Sequence, residues 1–254
     1  MQQKQLEAAG TLNLSAWRDG PFWRGKGGQR SEAIDPTHRH LAMITGGTID
    51  IWDLERYDRI ARWQTGNNTE LVSLDFSNNG DHLAIGGRRI IYSDQQAFIS
   101  EFTEEGVLFL VDLTGEPPQL EGPLSVPGKV ASVLFSPDDH YLATGGCGAM
   151  GKLHCTRGFV ALRDMRTGMM LGEPMPSHAR SVTSLAFSAD GELLVSAPKE
   201  GRLLRNSVDL LLRDLRPQTW IKLACEKTNR PLSAKEAARF FGDPESEDAC
   251  SAAE

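Results

Sequence analysis

Cysteine is scarce in this 254-residue chain, and the four present (Cys147, Cys155, Cys225 and Cys250) are too scattered for a small scaffold stapled by disulfides. Long apolar runs are missing as well. No stretch approaches the roughly eighteen residues of a spanning helix, and the start MQQKQLEAAG has neither a basic nor an apolar leader region. The chain is therefore expected in the cytoplasm. A basic stripe is also lacking. Of the formal net charge of -7, five negative charges sit on Asp243, Glu245, Glu247, Asp248 and Glu254, in a segment without Lys or Arg. The near-neutral body that remains offers little to a phosphate backbone, which argues against nucleic acid as a partner.

What is present is turn-forming: 25 Gly and 13 Pro favour β structure. Four segments repeat one pattern, AIDPTHRHLA, LDFSNNGDHLA, VLFSPDDHYLA and LAFSADGELLV. Each carries an anchor (Ile34, Phe76, Phe135, Phe187), a polar turn, and a Leu seven residues after the anchor (Leu41, Leu83, Leu142, Leu194). That spacing predicts a strand, a tight turn such as Ser136-Pro137-Asp138-Asp139, and a second strand. Further on, each copy has an apolar approach to an Asp at a turn: Trp52-Asp53, Val111-Asp112, Arg163-Asp164 and Arg213-Asp214. From each Asp to the next anchor the distance is 76-53, 135-112 and 187-164, which is 23 residues three times. Length varies only between the second and third strands of a copy, which puts the insertions Gly86 to Gly106 and Gly145 to Gly158 on one face of the assembly.

The turn Phe135-Ser136-Pro137-Asp138, the following Leu142-Ala143-Thr144-Gly145-Gly146 and the terminal Ile51-Trp52-Asp53-Leu54 resemble the WD-repeat β-propeller family, over about Ser31 to Leu215. The resemblance implies an all-β fold of four-stranded blades, partial or degenerate, with four recognisable blades. Trp of the Trp-Asp pair survives only as Trp52, and the family's Gly-His is approximated only at Ser177-His178, so the internal hydrogen-bond set is complete in no copy. Residues Thr11 to Arg24, with Leu12, Leu14 and Ala16 alternating against Asn13 and Ser15, read as a remnant of an eroded earlier blade. The expected organisation is an N-terminal segment over 1–30, repeats over 31–216 and a helical tail with an acidic end over 217–254. Four copies suggest a truncated array or a piece of a longer protein.

In the tail, Ser233 followed by Glu236 is a capping-box signature, with Leu232, Ala237, Phe240 and Phe241 giving the short helix an apolar side and Gly242 and Pro244 ending it. Trp220, Ala224, Cys225, Asn229, Arg230, Leu232, Ser233, Phe241, Gly242 and Cys250 resemble the end of bacterial WD-repeat proteins, many of them STAND-type signal-transduction ATPases. Pairing of Cys225 with Cys250 would stabilise by about 3 kcal/mol, but a reducing compartment favours free thiols.

Chemistry is thinly represented. Gly146 to Leu153 satisfies G-x-x-x-x-G-K, yet Leu153 supplies no hydroxyl for magnesium and the continuation is strand-like. Cys147, His154 and Cys155 are soft ligands in one loop, but adjacent His154-Cys155 suits tetrahedral zinc poorly. No G-x-S-x-G occurs, and Asp53, Asp112, Asp164 and Asp214 read as turn formers rather than acids. No catalytic residue, cofactor or metal is expected. The expected function is a protein-interaction scaffold, the sensor repeat end of a bacterial signalling protein by resemblance. Its partner-binding residues would be Arg88, Arg89, Tyr92 and Phe98 in the first insertion, unless that insertion only lengthens the blade's own hairpin. The rival readings are an enzyme or metal or nucleotide binder using the Cys147 to His154 loop, and a structural remnant that self-associates through open sheet edges.

Overall fold

A computed structural model describes residues 30–92, 102–151, 154–198, 210–216 and 218–220. The described chain is all-β, with a single helical turn at 218–220. Sheet one comprises β1 (Arg30–Ile34), β2 (His40–Thr45), β3 (Thr48–Asp53) and β4 (Asp58–Gln64), in that order. Sheet two follows as β5 (Thr69–Phe76), β6 (His82–Tyr92), β7 (Phe102–Asp112) and β8 (Gln119–Leu124). β9 (Lys129–Phe135), β10 (Tyr141–Met150), β11 (Cys155–Asp164) and β12 (Met175–Pro176) make sheet three. Sheet four shows three strands among the described residues, β13 (Val182–Phe187), β14 (Leu193–Pro198) and β15 (Leu211–Asp214). Two compact units divide the chain, Met1–Val130 with sheets one and two, and Ala131–Glu254 with nearly all of sheets three and four.

Repetition extends to single hydrogen bonds. The residue after each anchor donates its N–H to the residue before the repeated Leu: Asp35 to His40, Ser77 to His82, Ser136 to Tyr141 and Ser188 to Leu193, at 2.8 to 3.0 Å. The residue after each turn Asp donates back to the first hairpin's turn: Leu54 to Arg39, Leu113 to Asp81, Met165 to His140 and Leu215 to Glu192, at 2.7 to 2.8 Å. Each of the four Asp carboxylates accepts the N–H two residues on, from Glu55, Thr114, Arg166 and Arg216. These bonds hold the carboxyls below the usual range. The leading causes are the Arg56 N–H for Asp53, the Thr114 hydroxyl for Asp112, the Thr167 N–H for Asp164 and the Arg216 guanidinium for Asp214.

The first hairpin turn is also built one way four times. Its fourth residue after the anchor has positive φ in every copy, at His38 (60°), Gly80 (76°), Asp139 (60°) and Gly191 (74°). In three copies a Ser hydroxyl (Ser77, Ser136, Ser188) donates to an Asn or Asp two residues on and accepts the N–H that closes the turn. Sheet one transposes the pair. Thr37 donates to the buried Asp35 carboxylate, which accepts the N–H groups of Arg39 and His40. Burial pushes the Asp35 carboxyl up, and those three hydrogen bonds outweigh it and bring it below the usual range.

Between sheets the core follows one rule. Alternation puts the residues two and four before the turn Asp on one face, called forward here, and the anchor and the repeated Leu on the opposite, backward face. In the first unit Ala42, Ile44, Ile49 and Ile51 on the forward face of sheet one share a core with Phe76, Leu83, Ile85, Phe109 and Val111 on the backward face of sheet two. In the second unit Ala143, Val160 and Leu162 of sheet three meet Val182, Leu194 and Phe187 of sheet four in the same way. Glycine six residues before the Asp admits the incoming connection. A Cβ at Gly47 would lie 2.8 Å from the Gly66 carbonyl oxygen, at Gly106 1.8 Å from that of Gly128, and at Gly158 2.2 Å from that of Arg180.

Three expectations change. Ile34 does not fill the core as Phe76 and Phe135 do: it is 54% exposed and lies outside the core shared by sheets one and two. Phe187 is half-buried. The insertions are taken up largely by the strands, since β6 and β7 run eleven residues each and β10 and β11 ten each. Thr11 to Arg24, the helix around Ser233 to Phe241 and the pair Cys225 and Cys250 lie outside the described residues.

Candidate protein interface

The forward face of sheet four departs from the rule. The positions two and four before the Asp are Ile51 and Ile49, Leu110 and Leu108, and Leu162 and Val160 in the first three sheets, all half-buried or buried. In sheet four they are Leu212 and Leu210, 63% and 61% exposed. Half-buried Val195 and Ala197 of β14 lie on the same face, and Leu211, on the other, is itself exposed. Leu210 and Leu212 thus leave apolar side chains exposed on that face. β15 is also the last described strand of its sheet, pairing only with β14 through Leu193↔Asp214 to Ser196↔Leu211.

Behind that patch sits a polar network that fixes it. His178 Nε2 lies 3.0 Å from the Ser196 carbonyl oxygen and 3.2 Å from Ser196 Oγ, and Arg213 donates to that hydroxyl at 2.9 Å. Arg213 stands where sheet one has Trp52, and burial lowers its guanidinium's proton affinity. So His178, Ser196 and Arg213 tie the connection, β14 and β15 together despite the lost Trp. In sheet one Trp52 is buried with no partner for its Nε1, because Met43 stands where sheet four has Ser196. The Arg59 guanidinium lies 5.8 Å from the Trp52 ring, and Arg62 holds buried Asp50 at 2.7 and 2.8 Å.

The residues expected to bind a partner are differently placed. Arg88 is bound by Glu70 across β5 and by Glu104 of β7, so its guanidinium holds the hairpin together. Arg89 is half-buried, while Ile91 and Tyr92 are exposed near the end of β6. Phe98 lies outside the described residues. The soft-ligand trio is also changed. Cys147 and Cys155 form a disulfide with sulfurs 2.11 Å apart, and a bonded pair of sulfurs has no thiolate to offer a metal. Scattered spacing hid it: the two are eight apart in sequence but are brought together across a hairpin whose register shifts between Cys147 and Ala149. Among the described residues no cluster of three or more His, Cys, Asp or Glu could hold a metal ion.

Sequence reasoning missed two signals that were readable. Glycine six before the Asp recurs in three copies, and the apolar pair Leu210 and Leu212 matches Ile49 and Ile51 by simple counting. Exposure of that pair was not readable, since it depends on what packs there.

Comparison with known proteins agrees with this geometry. The family model "WD domain, G-beta repeat" matches residues 119–150 and 171–202, each match beginning near the outer strand of one sheet and running into the next. Eukaryotic translation initiation factor 3 subunit I of Drosophila melanogaster is 26% identical over 177 residues, which is 66% of this chain and 47% of that protein. The same subunit of Drosophila grimshawi is 24% identical over 218 residues, 82% of this chain and 57% of the relative. The chain thus spans about half the length of these curated relatives. Hydrazine synthase of Kuenenia stuttgartiensis superposes with a TM-score of 0.51 at 12% identity, covering 73% of this chain and 50% of that one, a likeness of fold alone. The chain carries WD40 repeats and is an all-β protein of WD-repeat β-propeller type, partial and degenerate in its repeats.

Proposed function

We propose that the chain is a non-enzymatic scaffold that binds a protein partner through the uncovered forward face of sheet four. The observation that carries this is the exposure of Leu210 and Leu212, above 60%, where the equivalent residues of the other sheets are covered. A rigid sheet presents such side chains with little ordering cost on association. The relatives carry the name of a subunit, a component of a larger protein assembly, which fits a scaffold. Nucleic acid is not the partner on this reading, since exposed leucines rather than a basic stripe mark the face. Capture experiments with the 254-residue chain test it: Leu210→Ser with Leu212→Ser should abolish partner recovery while Arg89→Ala leaves it intact. Equal recovery with both variants contradicts the reading.

A second reading is the sensor end of a bacterial signalling protein. It is supported by the tail residues from Trp220 to Cys250, of which Trp220 is among the described residues and exposed. On that reading the contact surface extends to Trp220. Trp220→Ala would then weaken capture as strongly as the leucine changes.

A further inference from the structure

We infer that the end of the hairpin formed by β10 and β11 is a redox-gated site for a soft monovalent metal ion, copper(I), held by the sulfurs of Cys147, Met150 and Cys155 once the disulfide is reduced. It goes beyond the partner-binding role of sheet four and does not depend on it. Three sulfurs meet at this hairpin end. Cys147 and Cys155 are bonded to each other, Met150 Sδ lies 3.4 Å from Cys147 Sγ, and Met150 stands directly opposite Cys155 in the register of the two strands. Directly paired residues of an antiparallel ladder carry their side chains on one face, so the thioether shares its side of the hairpin with the Cys155 sulfur.

The backbone holds this cluster without help from the sulfur–sulfur bond. The Gly151 N–H donates to the His154 carbonyl oxygen at 2.8 Å, and the Thr156 hydroxyl donates to the Ala149 carbonyl oxygen at 3.1 Å. These two bonds tie down the residues on either side of Cys155. With Cα atoms of Cys147 and Cys155 5.8 Å apart on that frame, both sulfurs stay within reach of one ion after reduction, and little ordering remains for the ion to impose. Access is from one side. Cys147 is 4% exposed and Met150 55%, so an ion enters past the thioether and is then screened from water by the buried cysteine's surroundings.

The donor set decides the ion. Thiolate and thioether sulfur suit copper(I), whereas magnesium, calcium and manganese take oxygen. Zinc takes four ligands, and among the described residues no cluster of three or more His, Cys, Asp or Glu could hold it. In the disulfide state neither cysteine sulfur is a thiolate, and the site is closed. Two molecules of a small thiol such as glutathione open it: they leave as their own disulfide, and Cys147 and Cys155 take up the two electrons and two protons to become thiols. Each thiol then releases its proton as its sulfur ligates copper(I), whose oxidation state does not change.

Anaerobic titration of the 254-residue chain with copper(I) against bicinchoninate, a coloured copper(I) chelator, tests the inference, with Cys225→Ser and Cys250→Ser in every sample so that those thiols take no metal. The expected result is about one copper(I) taken from the chelator per reduced chain, and none by the chain whose Cys147–Cys155 disulfide is verified by peptide mapping. Cys155→Ser, at a half-buried position, should remove the uptake. Met150→Leu conserves volume at an exposed position, so it should keep the thermal midpoint and weaken binding at least about tenfold. Equal uptake by the reduced and disulfide forms, or none by the reduced form, overturns the inference. Wild-type affinity in Met150→Leu overturns the three-sulfur site. The methyl NMR signal of Met150 reads the same contact without a variant: it should shift when copper(I) is added to the reduced chain and stay in place in the disulfide form, and an unmoved signal in the reduced chain also overturns the site.

Discussion

Sheets one and four are built from the same repeat and differ in what covers them. In sheet one the forward face, with Ile49 and Ile51 at 0% exposure, is sealed by Phe76 and Leu83, and the backward face ends in exposed Ile34. In sheet four the backward face is sealed on Val160 and Leu162, and the forward face ends in exposed Leu210 and Leu212. Identical positions thus act as core in one place and as surface in another. Whether an apolar residue of a repeat is structural or available to a partner is decided by its neighbour, not by its own type.

The largest test of this difference is truncation at matched positions. Ile51→Ala should destabilise by about 3 kcal/mol through lost transfer energy and a cavity, whereas Leu212→Ala should change stability by under about 0.5 kcal/mol. Urea unfolding midpoints of the two variants check it, and similar midpoints would break the comparison.

Close approach separates the glycines next. Gly106→Ala and Gly158→Ala place a methyl group against a backbone oxygen that cannot move without shifting the connection, so each should cost at least about 2 kcal/mol. Gly168→Ala, with φ of 70° and nothing within 4 Å, should cost only the left-handed penalty of about 1 kcal/mol. Equal costs in thermal unfolding would show that steric contact is not what the repeated glycine serves.

The transposed pair in sheet one gives a sharper test. Asp35→Ser and Thr37→Asp should each cost about 1 to 2 kcal/mol, by removing the acceptor for Arg39 and His40 or by setting two carboxylates together. Combined, they recreate the Ser-x-Asp arrangement of Ser136 and Asp138, and stability should return to within about 0.5 kcal/mol of wild type. Additive losses would contradict the equivalence of the turns.

Acid should act on these turns together. Asp35, Asp53, Asp112, Asp138, Asp164, Asp190 and Asp214 all have carboxyls lowered in the folded state. A lowered folded value means that the stability is present above the unfolded value, about 3.9, and is lost as pH falls through the folded ones. Midpoints should therefore hold steady above about pH 5 and drop below about pH 4. A midpoint that fell as pH rose instead would reverse the sign of the argument.

The smallest effect is expected at the left-handed turn position. His38→Gly should stabilise by about 1 kcal/mol and Asp139→Gly by less, because Asp tolerates that conformation better. A loss in differential scanning calorimetry would mean that the His38 side chain contributes more than its strain costs.

Much of this fold was legible because the repeat is marked by local chemistry. The Ser-x-Asp turn, the repeated Leu and the Asp that accepts the N–H two residues on all form within a few residues, so spacing alone locates four hairpins and four third strands. Exposure was not legible for Ile34, because an anchor is buried only if another sheet lies behind it. Arg88 looked like a contact residue because Glu70 and Glu104 are 18 and 16 residues away and meet it only across strands. Cys147 and Cys155 were read as loop thiols for the same reason, since a register shift at Gly148 brings them to a Cα separation of 5.8 Å. The candidate face itself lay in plain counting from Asp214, but only the structure shows that nothing described covers it.

Hydroxyl-radical footprinting of the dilute 254-residue chain, read by mass spectrometry at individual side chains, tests the central claim most directly. Leu210, Leu212 and Ile34 should be oxidised at least about tenfold faster than Ile49, Ile51 and Leu162, matching a contrast of more than half exposed against almost none. Comparable protection at Leu212 and Ile51 would contradict the account, since sheet four would then have no free face to offer.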